Sequence, residues 1–169
     1  GLDPSHRATV LGAGSSNGVD LARFAPGSAQ PPLTVDGVPP GAKIVGFVGR
    51  ITAAKGVPEL LDAFDRVVKK CPDAWLVLVG AREDGDPIGP AHDRRLRAGQ
   101  NVRVLGFVRD PARYYGLMHV LAFPSFREGM PNAPIEAAAA GVPTVGFRVT
   151  GVVDAVEDGT TGRLLAPGD

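Results

Sequence analysis

Five apolar, β-rich runs recur along this chain, and helix-compatible stretches separate them. The runs are KIVGFVG at 43–49, AWLVLVG at 74–80, VRVLGFV at 102–108, HVLAFPS at 119–125 and PTVGF at 143–147. Near-continuous apolar runs of this kind read as strands buried on both faces. Strands that alternate with helices require crossover connections, and crossovers make parallel sheets. The pattern predicts an α/β fold, a Rossmann-like doubly wound parallel sheet. Residues 57–70, VPELLDAFDRVVKK, give the clearest helix, because Leu60, Leu61, Phe64, Val67 and Val68 share helical spacing. Shorter helices are expected at 111–118, with Asp110 as N-cap, and at 133–140. A helical turn is expected over Val152–Glu157 and a sixth strand over Gly162–Leu165. The charged stretch 81–100 carries no clear pattern.

Residues 1–42 read as a leader and linker, with a short strand at Ala8–Leu11. The Pro/Gly-rich stretch after Phe24 is expected to be extended and irregular. Lys+Arg and Asp+Glu balance at 18 each, which leaves no general electrostatic footprint for nucleic acid or membrane. Any anion binding must therefore come from local geometry. Cys71 is the single cysteine, so neither an internal disulfide nor a cysteine zinc site is available, which fits a reducing compartment. No apolar run approaches membrane-spanning length, and GLDPSHRATV at the N-terminus lacks the pattern of a signal peptide.

Ligands of doubly wound sheets bind outside the carboxyl ends of the strands, where strand order reverses. The loops to weigh are GRITAAKG at 49–56, SFREGMPN at 125–132 and RVTG at 148–151. Arg50 and Lys55 offer a planar fork and a compact point charge that could neutralise a diphosphate. Taken alone, both are as well read as solvated loop charges. The loop matches neither GxxxxGK[ST] nor GxGxxG.

The stretch EGMPNAPIEAAAAGVPTV at 128–145 is more specific. Glu128 lies on a Gly/Pro loop, and a helix carrying Glu136 near its start follows. Free amides and the dipole at a helix N-terminus suit an anion. A carboxylate on each side suits a ligand with both phosphates and hydroxyls, and a nucleotide sugar is such a ligand. The blander readings are a solvated acid at Glu128 and a dipole-complementing acid at Glu136. His6, His92 and His119 share no metal-ligand spacing, and His119 reads as structural. Trp75 and Phe123 read as core residues, Cys71 as a half-buried thiol, and Arg94, Arg95 and Arg97 as a solvated face.

Glu128 and Glu136 form the E-x7-E signature of retaining GT-B glycosyltransferases, and the residues around them resemble the large family four group. The likeness extends to GR-x4-KG at 49–56, to AWLVLVG and VRVLGFV, to VTGVVDAVEDGTTGRLLAPGD at 149–169, and to SNGVDLARFAP at 16–26, which is similar to that family's interdomain linker. It implies the C-terminal half of a GT-B fold. Residues 1–42 would be leader and interdomain linker, and 43–169 a Rossmann-like nucleotide-sugar-binding domain. It also implies transfer of a hexosyl group, with retention, from a nucleoside diphosphate sugar to an acceptor in polysaccharide or lipopolysaccharide synthesis.

By that resemblance Arg50 and Lys55 bind the donor diphosphate, and Glu128 holds donor-sugar hydroxyls. The amides of Gly129, Met130, Asn132 and Ala133, around Pro131, face sugar and phosphate. Glu136 holds the ribose, Gly106, Phe107 and Val108 meet the base through backbone groups, and Gly49 keeps its loop close to the ligand. The donor is expected to be UDP- or GDP-linked, with no cofactor and no metal. An N-terminal acceptor domain and further C-terminal helices are expected outside these 169 residues, with a cytoplasmic enzyme that associates peripherally with the inner membrane. Thr150-Gly151 and Asp154 stand where the family often has a Gly-Gly pair and a Glu. The competing readings are a nucleotide-sugar-binding module without chemistry of its own, a GT-B-like nucleotide-sugar epimerase and, less favoured, a glycosidase.

Overall fold

The first apolar run does form a strand, and it becomes the centre of a sheet. In a computed structural model, which describes residues 18–27 and 33–169, β1 (Lys43–Val48) leads through α2 (Val57–Lys70) to β2 (Ala74–Val79). Then come α3 (Pro90–Ala98), β3 (Val102–Gly106), α4 (Ala112–Tyr115), β4 (Val120–Phe123), α5 (Asn132–Ala139), β5 (Thr144–Phe147), α6 (Val152–Ala155) and β6 (Gly162–Leu165). A short α1 (Leu21–Phe24) precedes them, capped by the Asp20 carboxylate, which accepts from the amides of Ala22 and Arg23. The expected strand at Ala8–Leu11, and His6, lie outside the described residues.

The sheet order is β3-β2-β1-β4-β5-β6, and every pairing is parallel. On one edge β1 pairs with β2 along its whole length, from Lys43↔Ala74 to Val48↔Val79. On its other edge it meets β4 at Val45↔Val120 and Gly46↔Leu121. Strand order therefore reverses between β1 and β4, as a Rossmann-like doubly wound sheet requires.

Two cores follow from the alternation of side chains along each strand. On one face Val57, Leu60, Leu61 and Phe64 of α2 and Leu96 of α3 cover Phe47, Leu76, Leu78 and Val102. On the other, Ala112 and Tyr115 of α4, Ala137 of α5 and Val152 of α6 cover Val77, Val79, Leu121 and Phe123. Phe24 and Val35, from the expected linker, are buried in this second core, and the rest of the described stretch from Ala25 to Ala42 forms no helix or strand. His119 is structural, as read. Its Nδ1 accepts from the Ile44 amide at 3.1 Å, and its own amide donates to the Ile44 carbonyl at 2.9 Å.

Several expectations change. The patternless charged stretch contains α3, whose only buried residue is Leu96. Arg95 pairs with Asp65 at 2.8 Å and Arg97 with Asp93 at 2.7 Å, so charges outnumber apolar contacts and no apolar period arises. In the fourth helix the N-cap position belongs to Pro111, without a side-chain cap bond. Asp110, one residue earlier, is engaged by the Arg23 guanidinium at 2.6 Å and is also drawn on by the Ala112 amide at the start of the helix. Trp75 is only half-buried, with the Arg103 guanidinium 4.9 Å from its ring centre. Phe123 is core, and Val67 lies at the exposed margin of α2.

Two measurements test this packing. A Cβ at Gly80 would lie 1.8 Å from the Gly49 carbonyl oxygen, at a φ of +156°. Gly80→Ala is expected to lower stability by about 1–3 kcal/mol or more in urea unfolding, and an unchanged midpoint would refute the close approach. The Asp158 carboxylate accepts from the Leu164 amide at 3.1 Å and from the Arg148 guanidinium. These partners hold its pKa below the ordinary value. A folded pKa below the unfolded one contributes stability above the unfolded value, lost as pH falls through the folded one. Melting temperature should fall on acidification below about pH 4, less steeply in Asp158→Asn; parallel curves would refute the assignment.

Candidate functional site

Three loops meet at the carboxyl end of the reversal point, and main chain brings them together. The loop after β1 and the loop after β4 are joined by a bond from the Phe126 amide to the Ala54 carbonyl, 3.1 Å. Gly56, the N-cap of α2 with φ +69°, lies so close to the β4 loop that a Cβ there would sit 2.0 Å from the Pro124 carbonyl oxygen. A Cβ on Gly151, in the loop after β5, would sit 1.9 Å from the Gly129 carbonyl oxygen. These are the loops that the strand pattern singles out.

Across this junction Lys55 Nζ bonds Glu128 Oε1 at 2.5 Å, with the two side chains 20% and 11% exposed. Thr52, 2% exposed, accepts the Lys55 amide at 3.3 Å. A pair this sheltered from water is held by mutual need, since either charge left alone would face a desolvation cost.

Helix α5 begins immediately beyond. Its N-cap is Pro131, in extended conformation and without a capping side chain. Among the described residues, the amides of Gly129, Met130, Asn132 and Ala133 have no acceptor outside the helix itself, and the Asn132 Oδ1 is buried without a partner. Uncapped first-turn amides pointing out of a helix start are what an anion needs. Gly129 is exposed, Met130 half-buried and Pro131 buried.

The other expected site residues are distributed around this centre. Glu136 lies at the beginning of the second turn of α5, near the helix start as expected, and accepts from the Tyr115 hydroxyl at 2.7 Å. Arg50 is not part of the Lys55–Glu128 pair. It is 64% exposed and bonds Glu83, in the loop after β2, at 2.5 Å. Gly49 donates its amide to the Val79 carbonyl at 3.0 Å. Gly106 ends β3 with φ +71° and accepts the Gly80 amide at 2.9 Å. Phe107 is 80% exposed, while Val108 packs on the core.

Sequence reasoning missed Thr52, Glu83, Asp86 and Tyr115. Asp86 fixes the β1 loop by accepting the Ala54 amide at 2.8 Å. Only Tyr115 had a usable signal, because a phenol on a core-facing position must find a polar partner. Burial and the adjacent Glu136 charge push that phenol well above its ordinary pKa, so it remains an O–H donor.

The loop cluster is an open wall. Two hollows lie elsewhere. One, of about 410 Å³, runs along the open sheet face beside α2, lined by Val45, Val120, Ala122, Val145 and Leu165. The other, of about 510 Å³, lies between the β2 loop and α3. Neither includes Lys55, Glu128 or Glu136. Among the described residues no three His, Cys, Asp or Glu side chains gather as a metal site would, and no helix is long and apolar enough to cross a membrane.

A six-stranded parallel sheet of this order, with its loops gathered at the reversal point, is the architecture of the C-terminal domain of GT-B glycosyltransferases. The chain belongs to the family described as glycosyl transferases group 1, which it matches over residues 42–169. It is 34% identical to the capsular polysaccharide biosynthesis glycosyltransferase CapM of Staphylococcus aureus, over 99% of this chain and 44% of that protein. It thus spans less than half the length of that relative. In three dimensions it resembles Anabaena HepE in complex with UDP (TM-score 0.72, 26% identity, 90% of this chain and 43% of that one). It shares its fold with the C-terminal domain of the group 1 protein LpcC from Francisella tularensis (TM-score 0.73, 22% identity, 90% and 82%).

The central ion pair has a direct consequence for stability. Glu128→Gln leaves Lys55 sheltered and unpaired, and is expected to lower the urea midpoint by the equivalent of about 1–3 kcal/mol. Adding Lys55→Met should recover part of the loss. An unchanged midpoint in the single variant would show that the pair is solvated.

Proposed function

We propose that this chain forms the donor-binding half of a retaining glycosyltransferase that takes a hexosyl group from a nucleoside diphosphate sugar. The single observation that carries the reading is the uncapped start of α5 beside the Lys55–Glu128 pair at the strand-order reversal. Membership of the group 1 family supports it, as does the likeness to HepE, which binds UDP.

In this reading the donor diphosphate lies on the amides of Gly129, Met130, Asn132 and Ala133 and draws Lys55 toward it. Lys55 then shares its charge between the phosphate and Glu128. Arg50 joins by exchanging Glu83 for a phosphate oxygen. Glu128, freed in part, accepts from the sugar hydroxyls. Glu136 takes the ribose, and the Gly106–Val108 backbone takes the base, uracil or guanine. The bond from the anomeric carbon to the diphosphate breaks, a bond to the acceptor hydroxyl oxygen forms on the same face, and the hydroxyl proton passes to the departing diphosphate oxygen. Fixed dipoles and cations aimed at the leaving diphosphate lower that barrier, so no metal is required.

The acceptor belongs to the part of the relatives that this chain does not span, and the product belongs to polysaccharide or lipopolysaccharide assembly at the cytoplasmic face of the inner membrane. The isolated chain would then bind donor without turning it over. The coverage of under half of CapM favours this second reading for the piece alone. Robust transfer by the 169-residue chain would overturn it.

Calorimetry with UDP, GDP and the matching nucleosides tests the diphosphate assignment. Lys55→Ala should weaken nucleoside diphosphate binding by roughly 10–100-fold, the worth of a charge-assisted bond, and leave nucleoside binding unchanged. Arg50→Ala should act in the same direction but less, because Glu83 competes for it. Equal losses for diphosphate and nucleoside would refute the proposal.

A further inference from the structure

Tyr115 belongs to none of the loops that meet at the reversal point, yet its hydroxyl reaches one of the two signature carboxylates. The residue ends α4, its side chain is fully buried, and its ring packs edge-on against Phe24 at 5.7 Å and 63°. The ring is therefore held on all sides by the core that also contains Leu121, Ala137 and Val152. Its hydroxyl donates to Glu136 Oε2 at 2.7 Å. A Glu side chain on a half-exposed helix position would otherwise sample several rotamers, and fixing it costs entropy. Here one rigid, enclosed donor selects one of them before any ligand arrives.

Two details make this more than a core tyrosine finding an acceptor. A carboxylate has about four acceptor positions over its two oxygens. The bond to Oε2 uses one, and no second hydrogen bond to the Glu136 carboxylate occurs among the described residues. Oε1 thus keeps its lone pairs. Also, the guanidinium of Arg23, itself held by Asp110 at 2.6 Å, lies close enough to Glu136 for the two charges to interact.

We infer that Tyr115 is a positioning residue for the donor's pentose: its hydroxyl fixes one oxygen of Glu136 so that the other is aimed at the ribose hydroxyls. This rests on the nucleoside diphosphate reading above. Tyr115 touches no ligand. Its effect is exerted through Glu136, and it acts on the vicinal hydroxyls of the ribose and on no other part of the donor.

Calorimetric titrations separate the two assumptions. The probes are UDP or GDP, whichever binds the parent more tightly, and its 2′,3′-dideoxy analogue. The parent is expected to prefer the ribonucleotide by tenfold or more. If it does not, the ribose role of Glu136 fails, and the inference fails with it. If it does, Tyr115→Phe should shrink that preference about tenfold while leaving affinity for the dideoxy analogue within twofold. A folded Tyr115→Phe that keeps the full preference overturns the inference alone and leaves the ribose role standing. An equal loss for both nucleotides also overturns it, because a structural defect would have that signature. Glu136→Asp supplies a second arm that leaves the buried ring intact and draws the carboxylate away from the phenol. It is expected to lose the preference to the same extent, and full retention there overturns the inference as well.

Discussion

The structure depends on β1 being paired on both edges. Its backbone amides and carbonyls are divided between β2 and β4, and the chain leaves the two neighbours in opposite senses across the sheet. Where the two directions part, the strand-end loops gather at the carboxyl ends, the place where ligands of such sheets bind. The bond from the Phe126 amide to the Ala54 carbonyl joins the β1 and β4 loops there. The Lys55–Glu128 pair and the start of α5 lie on or directly follow the loops that this bond joins, so the topology chooses their position before any side chain does.

Side chains then supply charge in pairs. Lys55 is neutralised by Glu128, Arg50 by Glu83, and Arg23 by Asp110. The first pair is the least exposed of the three and is the one at the junction of the β1 and β4 loops. A cation held by a carboxylate in a sheltered place stays ordered without losing the ability to turn toward a stronger anion, because exchanging one oxygen partner for another leaves its charge compensated. A solvated cation such as Arg50 is cheaper to keep but arrives with more freedom to lose.

Much of the fold was legible because its signals are local. Continuous apolar runs marked β1 to β5, and the periodicity of Leu60, Leu61 and Phe64 marked α2. α3 was not legible, since it is tied down by Arg95 and Asp65 rather than by an apolar stripe. Trp75 misled because its burial depends on Arg103, which lies on the neighbouring strand. For the site, the loops and the two glutamates were legible as a motif. The partner of Arg50 was not, because Glu83 is distant in sequence and nothing in its local spacing sets it apart; Tyr115 signalled only that its phenol needs a polar partner, not that Glu136 would be that partner. The position of Asp110 illustrates the same limit: a residue with good capping chemistry was claimed by a cation 87 positions away.

Glycines at 56, 80 and 151 let the strand-end loops touch backbone to backbone, with no space for even a methyl group between them. The base of the loop cluster is consequently made of peptide groups, whose shape is indifferent to the identity of the side chains around the rim. Residues such as Met130 or Phe107 can be exchanged without lifting that base. A protein built this way can have its rim relined while the backbone platform beneath stays as it was.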